Sequence, residues 1–238
     1  MPESAYRWHK DTINQPAMSL FPGQEAFTIE ELIIHRPYQS NEWTKEMIKR
    51  LILASQSPRR RELLNMFSIG CLEIIPADIK EESSPTLPVG EAAAQIALSK
   101  AISVAEKVGD RDLILAADTL VSLDNHILGK PVDAADAARM LGMLSLRTHV
   151  VCTGIALIQN GRQLCRYETT FVTFKQLTKA EIWAYIASGE PMDKAGAYGA
   201  QGLASLFITR IEGDFFNIVG LPLCLLGSML DEMGYSLF

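Results

Sequence analysis

The sequence has few cysteines and no long apolar run, and each absence excludes a class of protein. Its cysteines, Cys71, Cys152, Cys165 and Cys224, are widely spaced and form no C-x-x-C pair. Neither a disulfide scaffold nor a thiolate zinc site is therefore predicted, and a reducing compartment, the cytoplasm, is expected. Because no run of about 18 apolar residues occurs, no membrane span is expected. The N-terminus also lacks the basic-then-apolar order of a secretory signal.

Basic residues are too few for a nucleic-acid-binding surface. The chain has 22 Lys and Arg against 28 Asp and Glu, which gives a formal net charge of -6. A general nucleic-acid binder needs a basic face, so no nucleic-acid partner is expected. A few local cations would still suffice to hold a small anionic ligand. Hydrophobic residues make up 48 % of the 238 residues, enough for one packed domain with an appendage.

The first 49 residues differ in pattern from the rest. Prolines at positions 2, 16, 22 and 37 interrupt short apolar pieces of poor periodicity. We interpret residues 1–49 as an N-terminal extension of unknown role and residues 50–238 as the folded domain. In the second part strands and helices alternate, but Asn160-Gly161 predicts a hairpin between two long strands. The fold class is therefore predicted as α/β with a mixed sheet, not a purely parallel one.

The positions of the elements follow from periodicity and from turn and cap signals. Strands are predicted at residues 51–54, 72–75, 113–123, 150–158, 163–174, 205–211 and 216–219. Helices are predicted to follow caps at Ser57, Asp133 and Thr178, and to span residues 90–108 and 223–233.

The first candidate site is Ser55-Gln56-Ser57-Pro58-Arg59-Arg60, directly after a predicted strand. Ser57 is placed to cap a helix, and Pro58 suits the first helical position. Arg59 and Arg60 then fall in the first turn, where the helix dipole disfavours cations by roughly 0.3–1 kcal/mol each. Together with free backbone N–H groups and hydroxyls, this arrangement favours phosphate binding. The alternative is a solvated basic helix start.

The second candidate is Asp118, which lies inside an apolar predicted strand. A buried carboxylate is costly unless it is paired, hydrogen-bonded or bound to a metal. Lys130 follows after a turn, and hairpin geometry would bring it back towards Asp118. A carboxylate and an ammonium beside a phosphate chain suit metal-assisted phosphoanhydride chemistry. The alternative is a structural aspartate bonded to a neighbouring loop.

The third candidate is the glycine-rich segment at residues 189–202, which contains Asp193, Lys194 and Gln201. Its glycines would let the backbone approach a ligand closely. An ordinary long surface loop remains the alternative. Glu81, its neighbour Glu82 and Lys100 have no local pattern that separates them from solvated surface residues.

These segments, taken together and in order, resemble the Maf family of nucleoside triphosphate pyrophosphatases. The matching stretches are Leu53-Ala54-Ser55-Gln56-Ser57-Pro58-Arg59-Arg60, Ala117-Asp118-Thr119, Gly129-Lys130-Pro131, Thr148-His149-Val150-Val151-Cys152-Thr153, residues 193–202 and Val219-Gly220-Leu221-Pro222. The resemblance covers residues 51–234. It implies the fold of the inosine-triphosphate pyrophosphatases, in which helices flank a curved sheet and the site lies in a cleft of that sheet.

The resemblance also implies the reaction and its requirements. Hydrolysis between the α and β phosphates would give a nucleoside monophosphate and pyrophosphate. A divalent metal, Mg²⁺ or Mn²⁺, would be required, and family members are often homodimers. Roles follow by position: Ser55, Arg59 and Arg60 match triphosphate-binding residues, while Glu81, Lys100, Asp118 and Lys130 match catalytic positions, with Asp118 and Glu81 as metal ligands. Lys194 is expected to join the cations of the same cleft.

One branch of the family acts on thymidine and uridine triphosphates and another on 7-methyl-GTP. Arg59, Thr119 and Gln201 match the first branch, so the resemblance implies a dTTP/UTP pyrophosphatase. The amide of Gln201 suits the carbonyl and imide edge of a pyrimidine. A non-catalytic nucleotide-binding regulator of cell division and the same chemistry on 7-methyl-GTP remain the alternatives. One departure is Leu146, which stands where the family usually has glycine.

Overall fold

The computed structural model describes residues 46–80 and 87–237. Its strands are β1 (Glu46–Met47), β2 (Leu51–Leu53), β3 (Leu72–Ile74), β4 (Leu113–Leu123), β5 (His126–Leu128), β6 (Thr148–Gln159), β7 (Arg162–Phe174), β8 (Ile208–Glu212) and β9 (Tyr235–Ser236). Its α-helices are α1 (Pro58–Leu64), α2 (Val89–Val108), α3 (Ala134–Leu144), α4 (Lys179–Ala187), α5 (Phe215–Val219) and α6 (Leu223–Met233).

The main sheet has the strand order β3-β2-β4-β6-β7-β8, and β5 pairs with β4. Strand β2 runs parallel to both β3 and β4. The β4–β6, β6–β7 and β7–β8 pairs are antiparallel. The predicted mixed α/β sheet flanked by helices is therefore confirmed.

The hairpin between β6 and β7 has the turn that its sequence predicts. Gln159 pairs with Arg162, which leaves a two-residue turn. Asn160 and Gly161 have φ values of 49° and 77°. Asparagine and glycine tolerate this left-handed conformation best, and a tight hairpin requires it at both positions.

Helix α2 covers one face of the sheet. Small residues on its inner side, including Ala97 and Ala101, pack with Ile114 and Ala116 of β4 in a buried cluster. The helix approaches β6 so closely that a Cβ on Gly154 would lie 2.3 Å from the carbonyl oxygen of Ala93. Glycine at this position therefore sets the distance between helix and sheet.

Helices α1, α5 and α6 cover the opposite face. Leu63, Leu226 and Leu230 belong to a cluster that also contains Leu115 and Leu157 of the sheet. A third cluster joins α3 and α4 to the far ends of β4, β6 and β7. Because adjacent residues of a strand face opposite sides, consecutive positions of β4 meet different helices.

Two predicted strands are wrong in whole or in part. Residues 216–219 form helix α5, because Asp214 caps its N-terminus by accepting from the N–H of Phe216 and Gly220 ends it at a φ of 115°. Residues 203–207 form a 3₁₀ helix, and β8 begins only at Ile208. In α5 the side chains of Phe216, Ile218 and Val219 favour a strand, but the flanking cap and glycine determine the backbone.

The folded unit includes residues before Arg50. Strand β1 pairs in parallel with β9, and Ile48 is buried in the core. Most of the predicted extension, residues 1–45, lies outside the described residues. Within the parts of the chain that the structure describes, no helix is long and apolar enough to cross a membrane.

Candidate active site

A cavity of about 660 Å³ opens where β4 continues past the end of β2. Strand β2 pairs with β4 only as far as Leu53 and Leu115, whereas β4 extends to Leu123. The segments after β2 and β3 turn away here, so Ser55 and Pro76 both face the opening. Ligands bind beyond the carboxyl ends of parallel strands in many α/β sheets for the same geometric reason.

All the predicted site residues that the structure describes line this cavity. They are Ser55, Arg59, Arg60, Lys100, Asp118, Thr119, Lys130, Lys194 and Gln201. Glu81 and its neighbour Glu82 lie outside the described residues. The charged groups of the described lining are five cations and three carboxylates, of which the carboxylates are Asp118, Glu190 and Asp193. A locally cationic cavity in an acidic chain favours an anionic ligand.

Asp118 and Lys100 form a buried ion pair in the cavity. Asp118 is the sixth residue of β4, and Lys100 lies on the inner side of α2. The Lys100 Nζ donates to Asp118 Oδ1 at 2.6 Å, and the side chains retain only 10 % and 9 % of their exposure. The pairing explains how a carboxylate is accommodated in an apolar strand, since its charge is compensated inside the protein.

Arg60 is buried and connects three segments around the cavity. Its Nε donates to the carbonyl oxygen of Gly220 at 2.7 Å, and its two terminal nitrogens donate to Ser55 Oγ and Thr119 Oγ1, both at 3.0 Å. Thr119 Oγ1 lies 2.9 Å from Thr153 Oγ1. Since the guanidinium has five donors in a planar fork, these bonds fix its orientation at the cavity wall.

Arg59 is the more exposed of the two arginines. Ser57 caps α1 as predicted, with its hydroxyl accepting from the N–H of Arg60 at 3.5 Å. Arg59 reaches across the cavity mouth, where one terminal nitrogen lies 3.8 Å from Asp193 Oδ2. Lys194 Nζ donates to Asp193 Oδ1 at 2.7 Å. Asp193 thus contacts one cation from α1 and one from its own loop.

A buried histidine contacts the glycine-rich loop through Tyr198. His149 Nε2 and the Tyr198 hydroxyl share a hydrogen bond of 2.8 Å, and both rings contact Phe174 edge to face. Burial lowers the pKa of His149 to about 4. At neutral pH the ring is therefore uncharged, and its contacts are those of a structural residue. Tyr198 itself lines the cavity.

Sequence reasoning missed Glu190, which lines the cavity, and Asn217, which contacts the Thr153 partner of Thr119. Asn217 accepts from Thr153 Oγ1 at its backbone carbonyl, 2.8 Å away, and its side-chain amide donates to the carbonyl oxygen of Val151 at 2.9 Å. The helix cap at Asp214 was the available signal for this segment. No local sequence pattern distinguishes Glu190 from the other residues of the segment 189–202.

The donor set of the cavity fits a hard divalent cation. Mg²⁺ is commonly held by one or two carboxylates together with substrate phosphates, and it retains water ligands. Asp118 supplies a buried carboxylate at the cavity, and only one of its oxygens accepts the bond from Lys100 described above. Among residues 46–80 and 87–237, no group of three or more potential metal-binding side chains occurs. Asp118 is the one described carboxylate at this cavity that was expected to hold a metal.

The strand order and the cationic cavity define an α/β protein with a site for a phosphate-bearing ligand. The family assignment follows from comparison: the chain belongs to the Maf family, whose model, described as Maf-like protein, matches residues 50–233. The resemblance inferred from the motifs is thereby confirmed.

Two relatives carry the name dTTP/UTP pyrophosphatase. The protein of Thermococcus gammatolerans is 46 % identical over 186 residues, which are 78 % of this chain and 97 % of that protein. The protein of Bacillus cereus is 46 % identical over 178 residues, 75 % of this chain and 87 % of that protein.

Among solved structures, a HAM1 protein from Coxiella burnetii shares 21 % identity at a TM-score of 0.39. The matched region is 55 % of this chain and 75 % of the HAM1 protein. At this level of similarity the fold class rests on the strand order itself.

Proposed function

We propose that the protein is a metal-dependent nucleoside triphosphate pyrophosphatase that hydrolyses dTTP and UTP to the monophosphate and pyrophosphate. The observation that carries the proposal is the near-complete coverage of relatives named dTTP/UTP pyrophosphatase at 46 % identity. The cavity supports it, because residues of the matched motifs line it, including Asp118 and five cationic side chains. Removal of such nucleotides from the cellular pool is the role that this activity suits.

The residues of the cavity would have three roles: binding the triphosphate, activating water and positioning the base. Arg59, Lys130 and Lys194 are cations that would bind and neutralise the triphosphate. Asp118 would orient a water for in-line attack on the α-phosphorus and accept its proton, while pyrophosphate leaves. Lys100 would hold the Asp118 carboxylate in place through their ion pair. No covalent intermediate on serine or cysteine is required.

We also propose Mg²⁺ or Mn²⁺ as the cofactor, held by Asp118 and Glu81 together with substrate phosphates. Such an ion polarises the phosphoryl oxygens and neutralises charge that develops during hydrolysis. Since Glu82 adjoins Glu81, the two carboxylates are compared directly. We expect Glu81→Gln to raise the Mn²⁺ concentration needed for half-maximal activity by about tenfold or more. If Glu82→Gln does so and Glu81→Gln does not, the assignment passes to Glu82.

A nucleotide panel tests the proposed activity. The full chain is incubated with dTTP, UTP, CTP, 7-methyl-GTP and a deaminated purine triphosphate, in Mg²⁺ and in Mn²⁺. The products are separated as monophosphate plus pyrophosphate or diphosphate plus phosphate. We expect dTTP and UTP to give the highest kcat/KM and the monophosphate as product. A higher kcat/KM for 7-methyl-GTP would overturn the substrate assignment and leave the chemistry intact.

The same panel distinguishes a nucleotide-binding regulator from an enzyme. Tight binding of a nucleotide without any turnover, with either metal, would favour the regulator.

The family resemblance further supports a cytoplasmic homodimer as part of this proposal. Light scattering of the full chain, with a mass near twice 26.3 kDa as the expected result, tests the oligomeric state.

A further inference from the structure

The Glu190 carboxylate joins the two ends of the glycine-rich loop that follows α4. Its Oε1 accepts from the hydroxyl of Tyr185 at 2.9 Å, and its Oε2 accepts from the backbone N–H of Leu203 at 3.0 Å. Between these two anchors lie Lys194 and Gln201, both of which line the cavity. The carboxylate therefore fixes the loop that presents two of the expected substrate-binding groups.

Two glycines of the loop leave the space that this arrangement needs. A Cβ on Gly202 would lie 2.2 Å from Glu190 Oε1 and 2.4 Å from its Cδ. A Cβ on Gly199 would lie 2.7 Å from Cε of Lys194. Gly202 has a φ of -101°, which an alanine also adopts. A side chain at this position would meet the Glu190 carboxylate, so the position of that carboxylate requires a residue without one.

Tyr185 holds the carboxylate from outside the cavity lining. Its hydroxyl donates to Glu190 and accepts from the N–H of Gly199 at 3.2 Å. Burial raises the pKa of the Tyr185 phenol above its ordinary value, so the group stays protonated and remains a donor at neutral pH. Lys194 Nζ completes the arrangement by donating to the backbone carbonyl of Glu190 at 2.6 Å.

We propose that Glu190 is a positioning residue for nucleotide binding, which acts by holding the loop and not by touching the reacting atoms. Both of its carboxylate oxygens are engaged by loop anchors, and Gly202 packs directly against it. The identity of the ligand rests on the proposed function. The role of Glu190 follows from the contacts within the loop.

The space at Gly202 provides the decisive test. Gly202→Ala displaces the carboxylate without changing it, whereas Glu190→Ala removes it and leaves room for the new methyl group. Tyr185→Phe removes one anchor from outside the cavity lining. Tyr235→Phe is the matched control, because it removes a hydroxyl that donates to Gln159 Oε1 at 2.9 Å, away from the cavity. The dissociation constant of the α,β-imido analogue of UTP is measured by calorimetry, and kcat and KM are measured with UTP.

We expect Gly202→Ala and Glu190→Ala each to weaken analogue binding by about tenfold, and Tyr185→Phe by about fivefold, as loss of one or two hydrogen bonds implies. Values of kcat should stay within about twofold, since the loop acts on binding. In the Glu190→Ala background, Gly202→Ala should add less than about a twofold effect. Tyr235→Phe should leave binding unchanged.

The proposal is overturned if Gly202→Ala weakens binding equally in both backgrounds, since the methyl group would then act on something other than Glu190. It is also overturned if Glu190→Ala lowers kcat and leaves binding intact. These outcomes differ from those expected if the proposed function is wrong. In that case the wild-type chain would not hydrolyse UTP, and the dissociation constants of the analogue would still show whether Glu190 positions the loop.

Discussion

Lys100 Nζ lies 2.6 Å from Asp118 Oδ1, and both groups are buried where β4 passes beneath α2. A strand position that faces a helix would ordinarily hold an apolar side chain. Here the sheet and the helix each contribute one charged side chain, and both side chains line the cavity. The arrangement fixes a carboxylate in the cavity that Arg59, Lys130 and Lys194 also line.

Asp118→Asn is expected to lower kcat for UTP by about 10²- to 10⁴-fold, the range for loss of a positioned general base. The amide is nearly isosteric, so KM should change much less. Steady-state kinetics with UTP and Mg²⁺ measures both values. Asp231→Asn, an exposed substitution on α6, is the control. Wild-type turnover by Asp118→Asn would contradict the assignment.

Lys100→Met is expected to destabilise the fold because it leaves the buried Asp118 carboxylate uncompensated. The free energy of unfolding should fall by about 3 kcal/mol, as measured by urea denaturation. Adding Asp118→Asn should recover most of that loss. The exposed pair Arg147–Asp124 gives a matched control, since Arg147→Met should cost less than about 1 kcal/mol. Equal losses at both sites would show that burial of the first pair has no energetic consequence.

Leu146 occupies a turn that favours glycine. Its φ is 58°, in the left-handed region, and its side chain is 69 % exposed. Leu146 therefore holds a backbone conformation that strains an L residue with a side chain. Leu146→Gly should raise the free energy of unfolding by about 1 kcal/mol, the balance of relieved strain and added chain entropy. Val132→Gly, at another exposed position, should lower it. If both substitutions destabilise equally, Leu146 is not strained.

Elements of the fold could be predicted from the sequence where the residues that determine them lie within the element itself. Strand β4 was predicted at its observed bounds, because eight of its eleven residues are apolar and only Asp118, Thr119 and Ser122 are polar. The hairpin at Asn160-Gly161 was likewise specified by its own two residues. Helix α5 was missed because its Phe, Ile and Val residues favour a strand, while its conformation depends on caps outside them.

Several residues that were predicted to share a site lie at one cavity, whereas most of the interactions there were not predictable. Separate motifs supplied Ser55, Thr119 and Gln201, and the fold brings them to one cavity. The contacts of Arg60 with Gly220 and Thr119 join residues 160 and 59 positions apart. Local periodicity carries no information about such distances. The role of Glu190 likewise emerges only from its partners in the folded loop.

Base selection is expected to depend on the amide of Gln201, which is exposed at the cavity. An amide offers both a donor and an acceptor to the pyrimidine edge, whereas a carboxylate only accepts. Gln201→Glu should therefore lower kcat/KM for UTP by about 10- to 100-fold and raise the ratio of 7-methyl-GTP to UTP hydrolysis. The matched control is Gln163→Glu on β7. An unchanged ratio would remove Gln201 from base recognition.

His149 is expected to make the stability of the fold depend on pH below neutrality. Burial lowers its pKa from 6.5 to about 4 in the folded protein, so between these values the unfolded chain binds the proton more readily. The contribution of the uncharged His149 ring to the free energy of unfolding is fully present above pH 6.5 and decreases as the pH falls towards 4. The total change is about 3 kcal/mol, and it levels off at lower pH.

Urea denaturation of the wild type and of His149→Gln between pH 7 and 4 measures this contribution. The variant is less stable at pH 7 because it loses the fitted ring, but its stability should decrease less steeply with falling pH. His126→Gln removes an exposed histidine and should keep the steep wild-type decrease. If His149→Gln also keeps it, the buried ring is not the source, and the acid sensitivity arises from another group.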